Sequence, residues 1–210
     1  MKIIFLGAPG AGKGTQADRL SARFGIPTIS TGAIIRGAIK DGTRMGLEAK
    51  KFIESGALVP DDIVIGIVKE RLTESDCDKG YILDGFPRSV PQAQALDDMG
   101  ICLDKIISLE VSDEEIIDRM TGRRVCSGCG RTYHTVHLPS SKGENCEDCG
   151  AKLVTRADDA PDVVRSRLEV YHSTTEPLKA YYREKGMLCI VEGTNSVEET
   201  TKRTLEALGI

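Results

Sequence analysis

Tryptophan is absent from this 210-residue chain, and aromatic residues make up only 4% of it. So little ring area leaves few surfaces for stacking unpaired bases, which weighs against a single-strand nucleic-acid binder. A basic excess is missing too. Lys and Arg number 28 against 32 Asp and Glu, a formal net charge of -4, whereas phosphate-backbone binders are usually strongly basic. No apolar run reaches the roughly 20 residues of a membrane span, so neither nucleic acid nor membrane is an expected partner. Only three histidines are present, and no Ser-His-Asp, Cys-His or paired-carboxylate grouping stands out, so covalent catalysis is not suggested. The chain starts on an apolar strand rather than a signal-like segment, which sets the expectation of a cytoplasmic protein. With 40% apolar and 29% charged residues, it reads as one globular domain carrying an insertion.

Cysteine is better represented, at seven residues. Cys77, Cys102 and Cys189 are scattered, but Cys126-x2-Cys129 and Cys146-x2-Cys149 form two tight pairs sixteen residues apart. An odd count fits a reducing compartment better than a disulfide scaffold. The paired spacing is that of a four-thiolate zinc ribbon, with Gly128, Gly130 and Gly150 allowing turns around the sulfurs. Four thiolates leave no open coordination position, so such a site is structural. Two disulfides are the competing reading. His134 and His137 lie close by, but four sulfurs would satisfy a metal without them, and they read as surface or packing residues.

Five apolar runs read as strands: Lys2 to Leu6, Thr28 to Ser30, Tyr81 to Leu83, Lys105 to Leu109 and Leu188 to Val191. Most lack polar alternation, as parallel strands covered on both faces do. Helical stretches lie between them. Asp61-Asp62 supplies an N-cap, and Ser112-Asp113-Glu114-Glu115 and Ser196-Val197-Glu198-Glu199 read as capping boxes. Alternating strand and helix implies a doubly wound α/β core. Residues 31 to 60 and 122 to 159 break the alternation and read as excursions from it.

The first strand runs directly into Gly7-Ala8-Pro9-Gly10-Ala11-Gly12-Lys13-Gly14-Thr15, and a helix with Ala17, Leu20 and Phe24 on one face follows. Glycines let successive N–H groups point at one anion, Lys13 adds a flexible cation, and the helix presents its positive end. This is a phosphate cradle, except that Gly14 separates the lysine from the hydroxyl residue Thr15. Tyr81-Ile82-Leu83-Asp84-Gly85-Phe86-Pro87-Arg88 ends a second buried strand with a carboxylate and a cation. Asp84 lies where a magnesium shell would sit beside bound phosphate, and Arg88 can be aimed into the same cleft. Arg119, Arg123, Arg124, Arg131, Arg156, Arg165 and Arg167 cluster in and around the cysteine insertion. Guanidinium forks suit the electrostatic clamping that phosphoryl transfer requires.

Taken together, the chain resembles the adenylate kinase family, in its zinc-bearing, long-lid branch. The resemblance spans essentially the whole sequence and rests on the Gly7 to Gln16 loop, Ser30-Thr31-Gly32, the Tyr81 to Arg88 segment with Gln92, and Thr121-Gly122-Arg123-Arg124. Thr155-Arg156-Ala157-Asp158-Asp159, Arg165-Ser166-Arg167 and the four cysteines complete it. Gly-Lys-Gly-Thr is how this family writes its loop, which accounts for Gly14. The fold it implies is the α/β P-loop nucleoside monophosphate kinase fold. That is a five-stranded parallel sheet with helices on both faces (1–29, 60–121, 160–210), a helical AMP-binding arm (30–59) and a zinc-ribbon lid (122–159). The activity it implies is ATP + AMP ⇌ 2 ADP with Mg²⁺, in a monomer.

Carried residue by residue, the resemblance implies that Gly10, Ala11, Gly12, Lys13, Gly14 and Thr15 hold ATP phosphates. Arg119, Arg123, Thr132, Tyr133 and Asn195 would contact ATP, with its adenine against Arg119. AMP would meet Thr31, Arg36, Ala57, Leu58, Val59, Gly85, Phe86, Pro87, Arg88 and Gln92, the last reading adenine. Arg156 and Arg167 would bridge the phosphates, and Lys13, Asp84, Arg88, Arg123, Arg156 and Arg167 form the implied catalytic set. Cys126, Cys129, Cys146 and Cys149 would hold structural Zn²⁺. One position departs from the pattern: where the family commonly has Asp after Ser-Thr-Gly, this chain has Ala33, which leaves magnesium more dependent on Asp84. Two other readings remain, a kinase for UMP, CMP or GMP and a zinc-ribbon adaptor that merely binds nucleotide. The acidic charge and the arginine set weigh against the adaptor.

Overall fold

A computed structural model describes residues 1–210. Strand β1 (Lys2–Leu6) lies at the centre of a five-stranded sheet with β2 (Thr28–Ser30), β3 (Tyr81–Asp84), β4 (Lys105–Glu110) and β8 (Leu188–Glu192), in the order β2-β3-β1-β4-β8. Every pairing is parallel. The run Ile3-Ile4-Phe5-Leu6 shows why polar alternation is absent: Ile4 and Leu6 enter one core cluster, Ile3 and Phe5 the other. Successive side chains point to opposite faces, and here both faces are dry.

Helices complete the two layers. On the Ile4 side, α4 (Asp61–Arg71) contributes Val64 and Val68, α5 (Val90–Asp98) Leu96, and α8 (Leu178–Glu184) Leu178 and Tyr182. On the Ile3 side pack α1 (Lys13–Phe24), α6 (Asp113–Gly122) and α7 (Pro161–Val170), with Leu20, Met120 and Leu168, while α9 (Val197–Leu208) closes the layer. This is the fold class that the resemblance implied. Three strands run one residue beyond their apolar stretch, ending at Asp84, Glu110 and Glu192, because ladder hydrogen bonding continues through a polar residue.

Helix starts qualify the expected capping. Ser112 and Ser196 do accept from Glu115 N and Glu199 N, at 3.3 and 3.2 Å. The two glutamates do not reach back: Glu115 pairs with Arg119 and Glu199 with Arg203. Asp61 is not an N-cap. Pro60 occupies that position without a side-chain bond, and Asp61 is the first helical residue, its carboxylate directed at α5.

Between β2 and α4, α2 (Thr31–Lys40) and α3 (Arg44–Ser55) pack together with no strand between them. Gly46 permits the approach, since a Cβ there would lie 2.2 Å from the Ala38 carbonyl. The other excursion folds as a small antiparallel sheet of β5 (Arg123–Cys126), β6 (Thr132–His134) and β7 (Leu153–Val154), in the order β6-β5-β7. Its buried cluster is only Cys126, Tyr133 and Cys146, with Ala151 and Leu153 packed against it. No helix is long and apolar enough to cross a membrane.

Candidate active site

The loop after β1 leads straight into α1. Gly10 has φ +84°, and a Cβ there would lie 2.7 Å from Met120 Cγ, so the turn admits no side chain. The first intrahelical bond is Gln16 N to Gly12 O at 3.1 Å. The N–H groups of Lys13, Gly14 and Thr15 therefore have no helical acceptor, and α1 carries neither a side-chain cap nor an acidic residue in its first turn. Such an end suits an anion. Lys13 Nζ donates to Gly7 O at 2.7 Å and Ala8 O at 2.8 Å. Burial pulls its pKa from 10.5 to about 8, Asp84 opposes the fall, and Arg88, Arg167 and Arg123 add to it.

Those arginines line the same cavity, which has a volume of about 730 Å³. Arg36 and Arg88 are lowered by burial, and Arg156 and Arg167 are pushed down to about 10, again chiefly by burial. Two buried carboxylates partly compensate. Asp159 takes a bidentate grip from Arg123, and Asp158 accepts from Arg167 Nη1 at 2.8 Å. Asp84, in register with Phe5 of β1 and Ser30 of β2, accepts from Ser30 Oγ at 3.2 Å. Eight cations (Lys13, Arg36, Arg88, Arg119, Arg123, Arg131, Arg156, Arg167) thus line the cavity against four carboxylates (Asp18, Asp84, Asp148, Asp158), with Asp159 buried behind Arg123. A strongly anionic ligand is what this cavity is built to receive.

Most residues named from the sequence converge on the cavity: Gly10 to Thr15, Arg36, Ala57, Leu58, Asp84, Gly85, Pro87 and Arg88 from the core side, and Arg119, Arg123, Thr132, Tyr133, Arg156, Arg167 and Asn195 around the other. Arg119 Nη2 donates to Thr194 O at 2.9 Å, fixing it beside Asn195. Thr31, Val59, Phe86 and Gln92 are instead buried behind the wall, each at most 5% exposed. Arg124 and Arg165 do not line the cavity. Arg124 binds carbonyls at the end of α6, and Arg165 pairs with Asp162 at the surface.

The four cysteine sulfurs lie within 4.8 Å of one another. Contacts run across the pairs, Cys126 to Cys149 at 3.3 Å and Cys129 to Cys146 at 3.6 Å. That is one cluster able to hold a metal ion, and these separations exceed the roughly 2 Å of a sulfur–sulfur bond. The Tyr133 hydroxyl, 3.3 Å from its sulfur, heads the hydrogen bonds that hold Cys146 down at about 6. Cys129 receives a backbone hydrogen bond from Arg131, yet is pushed up to about 12 by the neighbouring Cys126 sulfur and by burial. Four thiols this close cannot all ionise unless a cation offsets them. Asp118, His134 and His137 also lie together. His134 Nδ1 accepts from Val136 N and His137 N, both at 3.0 Å, which places the ring proton on the buried Nε2. Burial lowers its pKa, and its Nδ1 lone pair is already taken by the two backbone N–H groups. The packing role expected of His134 fits this geometry.

The adenylate kinase family profile matches residues 5–187. The adenylate kinase of Caldicellulosiruptor saccharolyticus is 51% identical over 214 aligned positions, covering 100% of both chains. That of Archaeoglobus fulgidus is 50% identical, covering 99% of this chain and 97% of its own. Carboxydothermus hydrogenoformans has one that is 50% identical, covering 99% of each. The chain belongs to the adenylate kinase family. Its expected identity as a phosphotransferase of that family is therefore established.

Two groups of residues support this adenylate kinase site without a site role legible in the sequence. Asp158 and Asp159 were legible only as part of a motif, yet they anchor Arg167 and Arg123. Thr175 and Asp61 hold the Arg88 loop from behind: Thr175 Oγ1 donates to Arg88 O at 2.8 Å, and Asp61 binds Ser89 and Gln92. No local pattern marks Thr175, which lies in a π-helical turn (Tyr171–Thr175) far along the chain. Adenylate kinases act on Mg²⁺-ATP, and this site fits that cation. Asp84 lies 3.5 Å from where a Cβ on Gly14 would be, at the mouth of the phosphate loop. Ala33 offers no second carboxylate, and its N–H is directed at Ser30 Oγ, 3.4 Å away.

Proposed function

We propose that this chain catalyses ATP + AMP ⇌ 2 ADP, binding both nucleotides in the one cavity with their phosphates meeting over Lys13. The observation that carries this reading is the convergence of Lys13, Arg36, Arg88, Arg123, Arg156 and Arg167 on one space beside an uncapped helix N-terminus. ATP phosphates are assigned to the Gly10–Thr15 amides and Lys13, and its adenine to the side bearing Arg119, Thr132, Tyr133 and Asn195. AMP is assigned to Arg36, the 57–59 backbone and the Gly85–Arg88 turn, backed by Thr31, with Gln92 assigned as the reader of its adenine. Asp84 and Thr15 would hold Mg²⁺, which would supply charge neutralisation for the phosphates. Lys13, Arg88, Arg123, Arg156 and Arg167 then spread cation over oxygens whose charge develops during transfer, with no covalent intermediate. Burial makes these contacts stronger than they would be in water, and excluding water keeps it from competing as acceptor.

The segments 30–59 and 122–159 act as arm and lid closing on the two nucleotides. The Arg123–Asp159 and Arg167–Asp158 pairs lie at the lid's edge, where closure needs fixed hinges. The metal of the cysteine cluster is zinc in a structural role. Sulfur separations of 3.3 and 3.6 Å approach the roughly 3.8 Å edge of a tetrahedron with Zn–S near 2.3 Å. The enzyme works as a cytoplasmic monomer, with Cys77, Cys102 and Cys189 as free thiols. A coupled assay of ADP formation tests the assignment. ADP should appear only with ATP, AMP and Mg²⁺ together, and comparable rates with CMP, UMP or GMP would overturn the choice of AMP.

A further inference from the structure

Gln92 is 1% exposed, and its amide is committed at both ends. Nε2 donates to Asp61 Oδ1 at 2.6 Å, and Oε1 accepts from Arg88 N at 2.7 Å. Asp61 Oδ2 also accepts from Ser89 Oγ at 2.9 Å, while that same hydroxyl oxygen caps α5 by accepting from Gln92 N at 3.3 Å. Asp61 is the first residue of α4, and Ser89 and Gln92 occupy the first turn of α5, so one carboxylate faces two helix N-termini. The two ends of the amide agree on its orientation. A flip would set Oε1 against a carboxylate and Nε2 against an N–H, leaving two buried mismatches.

We infer that Asp61 is a positioning residue that locks the Gln92 amide in one orientation and thereby sets the enzyme's preference for a 6-amino over a 6-oxo purine monophosphate. The inference rests on the proposed role of Gln92 as reader of the AMP base. The second Nε2–H and the second Oε1 lone pair, which the bonds to Asp61 and Arg88 N leave over, match adenine, whose N1 accepts and whose 6-amino group donates. Hypoxanthine presents the reverse, an N1–H donor and an O6 acceptor, and fits only the flipped amide. Asp61 opposes that flip from one side and Arg88 N from the other. Because Arg88 N is held by the same amide, Asp61 also steadies the loop that aims Arg88.

The test compares kcat/KM for AMP and IMP, at saturating MgATP, in the wild type, Asp61→Ala, Asp61→Asn and Gln92→Ala. Calorimetric binding of AMP and IMP without ATP gives a readout independent of turnover. Asp61→Ala should lower the AMP-over-IMP ratio about tenfold or more, as expected when a hydrogen-bonding discriminator is loosened. It should raise KM for AMP more than it lowers kcat and leave KM for ATP unchanged. Asp61→Asn keeps an acceptor for Nε2 and should stay within about threefold of the wild-type ratio. If Asp61→Ala does not fold, Asp61→Ser serves, being polar at the helix start but too short to reach Nε2. An unchanged ratio in Asp61→Ala or Asp61→Ser, with Gln92→Ala relaxed, overturns the inference and leaves the AMP site standing. An unchanged ratio in Gln92→Ala overturns the base-reading assignment itself, and the inference with it.

Discussion

Replacing Lys13 with methionine separates what this lysine costs the empty protein from what it gives the reaction. Its ammonium is buried against Gly7 O and Ala8 O, in the field of Arg88, Arg167 and Arg123. Burial is the main reason that its pKa falls from 10.5 to about 8. At about 1.4 kcal/mol per tenfold in proton affinity, holding that charge destabilises the unliganded fold by about 3 kcal/mol at neutral pH. The folded-state value lies below the unfolded one, so the unfolded chain binds the proton more tightly between pH 8 and 10.5. Stability therefore rises with pH across that window. Between pH 7 and 9.5 the wild type should gain about 2 kcal/mol that Lys13→Met does not. Urea unfolding of both proteins without nucleotide, at the two pH values, measures this difference, and groups titrating in both proteins cancel. The kinetic counterpart is kcat/KM for ATP, which reports the free enzyme and should fall roughly 30-fold over the same interval as the ammonium is lost. The fall in kcat should be smaller, because bound polyphosphate raises the lysine's pKa. A stability difference that stays flat with pH, together with kcat/KM flat to pH 9.5, would refute the picture of Lys13 as a desolvated cation awaiting phosphate.

Arg88→Ala should lower kcat on the order of 10²-fold or more while the fold is retained, as loss of a donor to the developing charge does; near-normal turnover would remove Arg88 from the transfer site. Elemental analysis of protein purified without chelator should find one zinc per chain. Cys129→Ser should lower Tm and speed proteolysis within 122–159 before the core, because the buried cluster there is so small; two intact disulfides and no metal would overturn that reading. His172 donates to Glu176 at 2.8 Å and to Asp113 at 3.0 Å, and hydrogen bonds to Glu176 first and Asp113 second raise its pKa above 6.5. Its stabilisation is complete below the unfolded pKa and disappears as pH rises through the folded value. His172→Gln should therefore lower Tm at pH 5.5 and match the wild type at pH 9, and an equal deficit at both would exclude the ion pair as the cause.

The sequence by itself determined the sheet, the phosphate loop and the cysteine cluster, because each is written in contiguous residues whose local physics has few solutions. An unbroken run such as Ile3-Ile4-Phe5-Leu6 satisfies both faces of a parallel strand, and Gly10 to Thr15 can form an anion cradle with no help from afar. Two Cys-x2-Cys pairs in an apolar-poor segment have little else to fold around. Composition likewise removed the nucleic-acid and membrane classes from expectation before any fold was considered. Only the tertiary structure decided which of the clustered arginines face the cavity. Arg123 and Arg167 are turned inward by the buried Asp159 and Asp158, whereas Arg165, in the same motif, pairs with Asp162 at the surface. Tertiary structure likewise placed Gln92 behind the wall and bound it to Asp61, 31 positions away, and set Thr175 on the carbonyl of Arg88 across 87 positions. Where a buried polar side chain must find its partner, the choice depends on which elements pack together, and no local spacing encodes that.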